Sequence, residues 1–476
     1  MNTATLERPT TGTAVFIVLP GKSARERVAL GERIGAGLEA AVYDVAGWNE
    51  CAAKIYHQPR PQRQRAKIEA MLANPPEHLF AKVSASRVPL LAWPTHIVED
   101  EEHGFHGFLM RKMPVADSVS LTAYLRGGTP KNPVSDADRS LPSRLQLCWN
   151  LCGVLADLHR QGHFIIDFKP QNVRLFKHSC IPCILDTDGC SIRSGDGQRF
   201  PAHAYTPEFA SPELLAGSAA RVVDDRPDRF SLAVLLFEIL NNGIHPFQGI
   251  LHVEREPNTY EQGIREGQYA YGLAPHPQID PTAISMHHCL PRTTRQMFDD
   301  AFQSTSPEGR PTALQWRDHF KALRGASATF EKCGLQPDHV MHIHFSALPC
   351  PQCRSEAIVS DFGNSVSPGL SSILPDSRLE HSGFGGSASA PSSPPPPRTP
   401  TSAQRARRRW KRVALILMAA IALWMLARQA GRIAGIASAP ATGRPGSAIR
   451  AIAEAPRATG DATPPNSLPP HVEPTA

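Results

Sequence analysis

His159-Arg160-Gln161-Gly162-His163-Phe164-Ile165-Ile166-Asp167-Phe168-Lys169-Pro170-Gln171-Asn172 is the stretch whose reading decides the fold. It follows a segment of helical periodicity, Leu141 to Arg160, with apolar positions at Leu145, Leu147, Trp149, Leu151, Leu155 and Leu158. It precedes two short apolar runs, Val173 to Phe176 and Pro182 to Leu185, that read as strands. Between helix and strand it delivers an acid at Asp167, a cation at Lys169 and an amide at Asn172.

Working outward toward the N-terminus, Ala14 to Leu19 reads as a short strand and Leu30 to Val45 as strand, glycine turn, strand. Glu50 to Tyr56 is a further strand around Lys54. Gln62 to Leu72 has helix formers and an apolar stripe at Ala66, Ile68, Met71 and Leu72, stopped by Pro75 and Pro76. Leu90 to Val98 and Gly107 to Met113 read as strands, and Gly127 to Asp138 as a loop. Toward the C-terminus, Phe230 to Asn241 is strongly apolar and helical. The expected class is α+β, with a small β-rich lobe first and a helical lobe second.

Composition limits the rest of the 476 residues. Nearly all periodic segments lie before Leu348, and after Gly363 the chain turns to Ser, Gly, Pro and Ala. Such a composition cannot bury enough apolar surface to fold, so the core is roughly 300 residues. The formal net charge of +6 is partly local, in the cluster from Arg405 to Arg412. With no basic stripe interleaved with aromatics, nucleic acid is not an expected partner. Ten cysteines in this length do not read as a secreted disulfide scaffold, and Met1 to Val18 lacks the pattern of a signal peptide. The expected compartment of the folded part is reducing cytoplasm.

Further motifs stand in a fixed order around the opening stretch. Gly35-Ala36-Gly37-Leu38-Glu39-Ala40-Ala41-Val42 is a small-residue turn of the kind that lets backbone N–H groups approach phosphate oxygens. Lys54 follows it, then the hinge-like Met110-Arg111-Lys112-Met113. Beyond Asn172 come Leu185-Asp186-Thr187-Asp188-Gly189, Tyr205-Thr206-Pro207-Glu208-Phe209-Ala210-Ser211-Pro212-Glu213, Asp228-Arg229-Phe230, His245-Pro246-Phe247 and Ser306-Pro307-Glu308-Gly309-Arg310. In this order they resemble the motifs of the bacterial eukaryotic-like (Hanks-type) serine/threonine protein kinases, from about Leu30 to Leu323. The Asp-Thr-Asp form resembles a subgroup of that family.

The resemblance implies a bilobal protein kinase-like fold, ATP and Mg²⁺ as cofactors, and phosphoryl transfer to Ser/Thr hydroxyls of protein substrates. It implies that Gly35, Gly37 and Val42 cover the nucleotide, that Lys54 pairs its phosphates, and that Met110 and Met113 border the adenine. Glu69 is the expected helix partner of Lys54, with Glu77, after two prolines, a poorer candidate. Asp167 would accept the substrate proton and Lys169 would neutralise the transferring group. Asn172 and Asp186 would hold Mg²⁺, with Asp188 the alternative to Asp186. Glu213, Asp228 and Arg310 would be structural.

Two departures bear on activity: Ala40 stands where a third glycine is usual, and Ile165-Ile166 stands where His-Arg is usual. The arginine normally contacts a phosphorylated activation segment, so its absence implies control by other means. The rival reading is a kinase-fold pseudoenzyme that binds nucleotide as a scaffold. Small-molecule phosphotransfer is weaker, because Lys169 and Ala210 to Glu213 resemble protein-kinase features.

Cys333, His339 and the Cys350-Pro351-Gln352-Cys353 knuckle have the residue types of a tetrahedral structural zinc site, with His342 or His344 as alternatives to His339. Val413 to Ala427 is continuously apolar and follows the basic cluster, which predicts a transmembrane helix with the kinase-like domain on the cytoplasmic side of a bacterial inner membrane. The expected organisation is an N-terminal extension (1–28), the kinase-like domain (29–325), a zinc knuckle (330–356), a Pro/Ser/Gly-rich linker (357–409), the membrane helix (410–430) and a tail (431–476).

Overall fold

The computed structural model describes residues 10–358, with breaks at 20–23, 59–61, 84–85, 130–131, 136–137, 218–221, 254–258, 305, 326–329, 337–338, 343–349, 351 and 354–356. The first part is antiparallel sheet: β1 (Ala14–Val18), β2 (Arg25–Ala36), β3 (Ala40–Val45) and β4 (Cys51–Tyr56), then helix α1 (Gln62–Ala73). A hairpin of β5 (Phe80–Val83) and β6 (Ser86–Pro89) follows, then β7 (Pro94–Glu99) and β8 (Phe105–Arg111). β5 and β6 fall between Pro76 and Leu90, where the sequence reading places no element. The hairpin is short and half exposed, so it carries little alternation to be read.

The sheet closes into a barrel in the order β1-β2-β3-β4-β8-β7. Closure depends on β1, which pairs with β2 on one side and β7 on the other. Val15 and Ile17 of β1 point inward and alternate with half-buried neighbours, the pattern of a strand with one face in a core. β1 and the start of β2 come from the segment set apart in the sequence as an N-terminal extension. Closing a sheet removes its unpaired edges.

The second part is helical: α2 (Leu121–Leu125), α3 (Leu141–Arg160), α4 (Pro212–Leu215), α5 (Arg226–Leu240), α6 (Tyr260–Arg265), α7 (Arg292–Gln303) and α8 (Ala313–Gly325). α5 is buried all round from Phe230 to Leu240, as a helix apolar on every face must be. Phe230, Phe237, Phe247, Phe298 and Phe302 cluster beside it with ring centroids 5.3–6.2 Å apart. Between the lobes, Leu91 bridges Ile184 in parallel fashion; within the first part, Trp93 donates its indole N–H to the Met71 carbonyl of α1 at 2.9 Å.

The expected inner-membrane location is corrected. Among the described residues no helix is long and apolar enough to cross a membrane. The one of spanning length, α3, has 20 residues but carries Arg144, Asp157 and Arg160, whereas a span needs ~20 predominantly apolar positions. The run Val413 to Ala427 and the basic cluster before it lie outside the described residues.

Candidate active site

The opening stretch forms a rigid loop. α3 ends at Arg160, and Gly162 turns the chain with φ +76°. Phe164 exchanges backbone hydrogen bonds with Ser191 at 2.9 and 2.7 Å. Ile166 has φ +68°, a conformation costly for a β-branched residue, of order 1–3 kcal/mol. What holds it is Asp228, fully buried in the first turn of α5. Its two carboxylate oxygens accept from the N–H groups of Ile165 and Ile166, each at 2.7 Å. The N-terminal end of a helix favours that negative charge.

His159 lies 3.0 Å from the same carboxylate. Burial works against a charge on its ring, but Asp225 and Asp228 outweigh it and raise its pKa above the ordinary value. Asp225 is held below the ordinary carboxylate range: its burial is outweighed by His159 and Arg229.

The turn at Ile166 presents Asp167. Its Oδ2 lies 2.7 Å from the Lys169 ammonium, which also donates to the Thr206 hydroxyl at 2.7 Å. Its Oδ1 is inaccessible to solvent and has no hydrogen-bond partner among the described residues. Asn172 donates its amide N–H to the Asp167 carbonyl at 3.0 Å, which leaves its side-chain oxygen for another ligand. The Leu185 N–H bonds the Asn172 carbonyl at 2.8 Å and places Asp186 beside Asn172.

Lys54 sits on β4 opposite Val42 of β3 and Phe108 of β8. Gly37 forms the tip of the β2–β3 turn, closed by a 2.8 Å bond from its N–H to the Ala40 carbonyl, and Gly35 pairs with Val42. Met110 pairs with Ala52, and Met113 packs in an apolar cluster with Val88 and Leu185. The Lys54 ammonium lies 2.5 Å from Asp186 Oδ1 and 2.5 Å from Asp188 Oδ1. Burial disfavours its charge, but Asp188 and Asp186 outweigh that and hold its pKa above the ordinary lysine value.

The two aspartates differ in setting. Asp186 is in the left-handed region at φ +57° with its side chain 51% exposed. Asp188 is buried, and its second oxygen accepts from the Tyr56 hydroxyl at 2.7 Å. Burial pushes its pKa up, yet Lys54 and Tyr56 bring it below the ordinary value.

The structure does not bring Glu69 to Lys54. Glu69 is half exposed and pairs with Arg65 on its own helix at 2.9 Å. The reason is helical phase: Gln64, Lys67, Ile68 and Met71 form the inward face, and positions 65 and 69 lie together on another. Glu77 is exposed and pairs with Arg160 at 2.6 Å.

The segment from Asp186 to Glu213 is fixed at several points without any added charge. Arg199 donates to the Gly162 carbonyl at 3.1 Å and to Ser191 at 3.0 Å, its guanidinium over the Phe164 ring. Lys67 donates to the Pro201 carbonyl at 3.3 Å, and His203 contacts Gln64 at 3.0 Å. Glu213 takes a two-pronged pair from buried Arg310 at 2.6 and 2.9 Å. Tyr56, Gln64, Lys67, Arg199 and His203 were not among the residues singled out in the sequence. Tyr56 was within reach, since it stands two residues after Lys54 and so shares its face of the strand.

A second cluster stands apart. Cys333, His339, Cys350 and Cys353 place one ligand atom each within 4.8 Å of one another. Cys333 Sγ lies 3.7 Å from Cys353 Sγ, and His339 Nδ1 lies 3.3 and 3.7 Å from the sulfurs of Cys353 and Cys350. A tetrahedral zinc with Zn–S bonds of ~2.3 Å has sulfur–sulfur edges of ~3.8 Å. A short hairpin, Phe330–Lys332 with Val340–His342, frames the first two ligands, and the Cys333 N–H bonds the His339 carbonyl at 2.8 Å. His342 ends that hairpin, and His344 lies outside the described residues.

No family model matches the chain. It is 28% identical over 345 residues to the protein kinase YegI of Escherichia coli (strain K12), covering 70% of this chain and 49% of that protein. It is 28% identical over 342 residues to the protein kinase YegI of Escherichia coli O157:H7, covering 69% and 49%. The chain thus spans about half the length of the curated relatives it matches. Among solved structures it is similar to the twitchin kinase region from C. elegans, with TM-score 0.45 and 18% identity, covering 71% of this chain and 50% of that one.

Proposed function

We propose that this chain is a protein kinase that transfers the terminal phosphoryl group of ATP to Ser or Thr hydroxyls of protein substrates. The observation that carries the reading is Asp167. It is held after a strained turn, its side chain 25% exposed and one carboxylate oxygen against Lys169. That partly exposed carboxylate is suited to receive the hydrogen bond of an incoming hydroxyl and to orient its attack. Lys169, between Asp167 and Thr206, is placed to neutralise charge on the group in transfer. Phosphoryl transfer needs positioning and charge neutralisation more than covalent help, and these residues supply both. A lysine two residues after the aspartate, in contact with a threonine of the following segment, favours Ser/Thr acceptors over Tyr.

The donor set fits Mg²⁺. The side-chain oxygen of Asn172 and the half-exposed carboxylate of Asp186 are hard oxygen ligands, and phosphate-bound Mg²⁺ uses only one or two protein carboxylates. Asn172 and Asp186 would hold the ion, which would supply positive charge to offset that of the phosphates. Lys54 is placed to pair with the same phosphates, under the turn of Gly35 and Gly37, with Val42, Met110 and Met113 bordering the base. Glu213, Arg310 and Asp228 hold the scaffold. The fastening of the 186–213 segment by Arg199, Lys67 and Arg310 supports activity without its phosphorylation. The edge lengths among Cys333, His339, Cys350 and Cys353 support a structural Zn²⁺, because four protein ligands leave no open position.

The test is incubation of the full chain with labelled ATP, Mg²⁺ and a generic protein acceptor beside Asp167→Ala. The expected result is label on Ser or Thr with the wild type and none with the variant. Equal label from both, or nucleotide binding with no transfer by either, would overturn the reading in favour of a nucleotide-binding scaffold.

A further inference from the structure

We infer that Asp188 replaces the helix glutamate as the residue that positions Lys54, and that Tyr56, Gln64 and His203 extend its hold to α1 and to the segment before Thr206. The consequence for catalysis rests on the phosphotransfer reading, whereas the geometry stands by itself.

In protein kinases a lysine on the strand and a glutamate on the first helix must pair before the site is complete. Here the inward face of α1 carries no carboxylate. It carries a cation instead: Lys67 is 1% exposed and donates to the Pro201 carbonyl. A buried cation is costly unless opposite charge stands near it. Burial still lowers the Lys67 pKa to about 8, since Asp188 and Asp186 offset only part of that cost. The anion that pairs with Lys54 comes from the loop and not from the helix.

Asp188 has both oxygens engaged, one by Lys54 at 2.5 Å and one by the Tyr56 hydroxyl at 2.7 Å. The Tyr56 hydroxyl, which donates its hydrogen bond to Asp188, accepts from the Gln64 amide at 3.2 Å. The Gln64 carbonyl then faces His203 Nε2 at 3.0 Å, and since that oxygen only accepts, this ring nitrogen is the donor. Nothing in the chain of contacts calls on Glu69. Tyr56 and Asp188 belong to a strand and a tight helical turn, both rigid, so the place of Lys54 does not follow movements of an exposed helix residue. Asp188, Tyr56, Gln64 and His203 are positioning residues; none needs to touch the nucleotide.

The experiment compares the full-length wild type with Asp188→Asn, Tyr56→Phe and Glu69→Gln. Tyr56→Phe keeps the ring packed against Phe105 and Phe108 and removes only the hydroxyl. Each protein is acylated with acetic anhydride at one fixed pH without nucleotide, and the rate at Lys54 is read by mass spectrometry relative to exposed Lys321. Asp188→Asn should raise the relative rate roughly tenfold and Tyr56→Phe roughly threefold, as each weakens the hold on the ammonium. Glu69→Gln should leave it unchanged. A rate unmoved by both Asp188→Asn and Tyr56→Phe, or raised by Glu69→Gln, overturns the inference. If Asp188→Asn fails to fold, Tyr56→Phe decides alone. A wild type that follows the labelling pattern but transfers no phosphate supports the inference and defeats the phosphotransfer reading. With an active wild type, Tyr56→Phe should raise the KM for ATP more than it lowers kcat, a split that general loosening of the fold would not give.

Discussion

Asp228→Asn removes the charge of one buried carboxylate and almost none of its volume. In the wild type that carboxylate accepts two backbone hydrogen bonds at 2.7 Å, from Ile165 and Ile166, and lies 3.0 Å from His159. Hydrogen bonds to a charged group contribute about 1.5–3 kcal/mol each. Asparagine keeps one acceptor oxygen, so one backbone bond survives. Its NH₂ group then faces the other N–H, leaving a buried donor unsatisfied at about 1–3 kcal/mol. Relief from burying a charge offsets part of the loss. The net expectation is a destabilisation of about 2–4 kcal/mol, or about 4–8 °C in Tm at ~2 °C per kcal/mol for a domain of this size. The clamp also holds Ile166 at positive φ, so the loop should relax and misplace Asp167. Calorimetry gives Tm, and kinetics with nucleotide titration give kcat and ATP affinity. Affinity should change little, because Lys54 and Asp186 do not touch Asp228, while kcat should fall at least tenfold. A Tm within ~2 °C of wild type together with an unchanged kcat would refute the view that this carboxylate sets the loop.

Gly107→Ala should be among the most damaging single-methyl changes, because an added Cβ would lie 1.9 Å from the Lys54 carbonyl oxygen, which belongs to a paired strand and cannot move aside. Loss of soluble protein or of ATP binding is expected, and a normally folded variant with unchanged nucleotide affinity would contradict the β4–β8 register. His159 should make stability depend on pH. Its folded pKa is raised above the unfolded value of ~6.5, so its contribution is complete below that value and is lost as pH rises through the folded pKa. The stability gap between wild type and His159→Gln, followed by thermal unfolding, should therefore narrow with rising pH above ~6.5, and a gap that widens would oppose it. Protein prepared without chelator should carry about one zinc per chain by elemental analysis, lost in Cys350→Ser. An absence of zinc from the wild type would defeat the proposal for Cys333, His339, Cys350 and Cys353.

The sequence by itself determined what is local or ordinal. Motifs in a fixed order name the loop from His159 to Asn172, the lysine strand and the Glu213–Arg310 pair, because each is carried by a few consecutive residues whose types are dictated by backbone geometry or charge. Alternation and helical period place α1, α3 and α5, since burial on one face leaves a pattern along the chain. Only the tertiary structure decided what depends on phase and on pairing across long separations. Glu69 has the right residue type for a partner of Lys54, but α1 turns positions 64, 67, 68 and 71 inward and leaves it outside. Ala14 to Leu19 reads as a short strand in a segment set outside the domain, until β2 and β7 meet it from opposite sides. Asp188 reads as a spare carboxylate until the fold brings it, across 134 residues of chain, to within 2.5 Å of Lys54. Residue type tells what a side chain can do, and its neighbours in space decide which of those things it does.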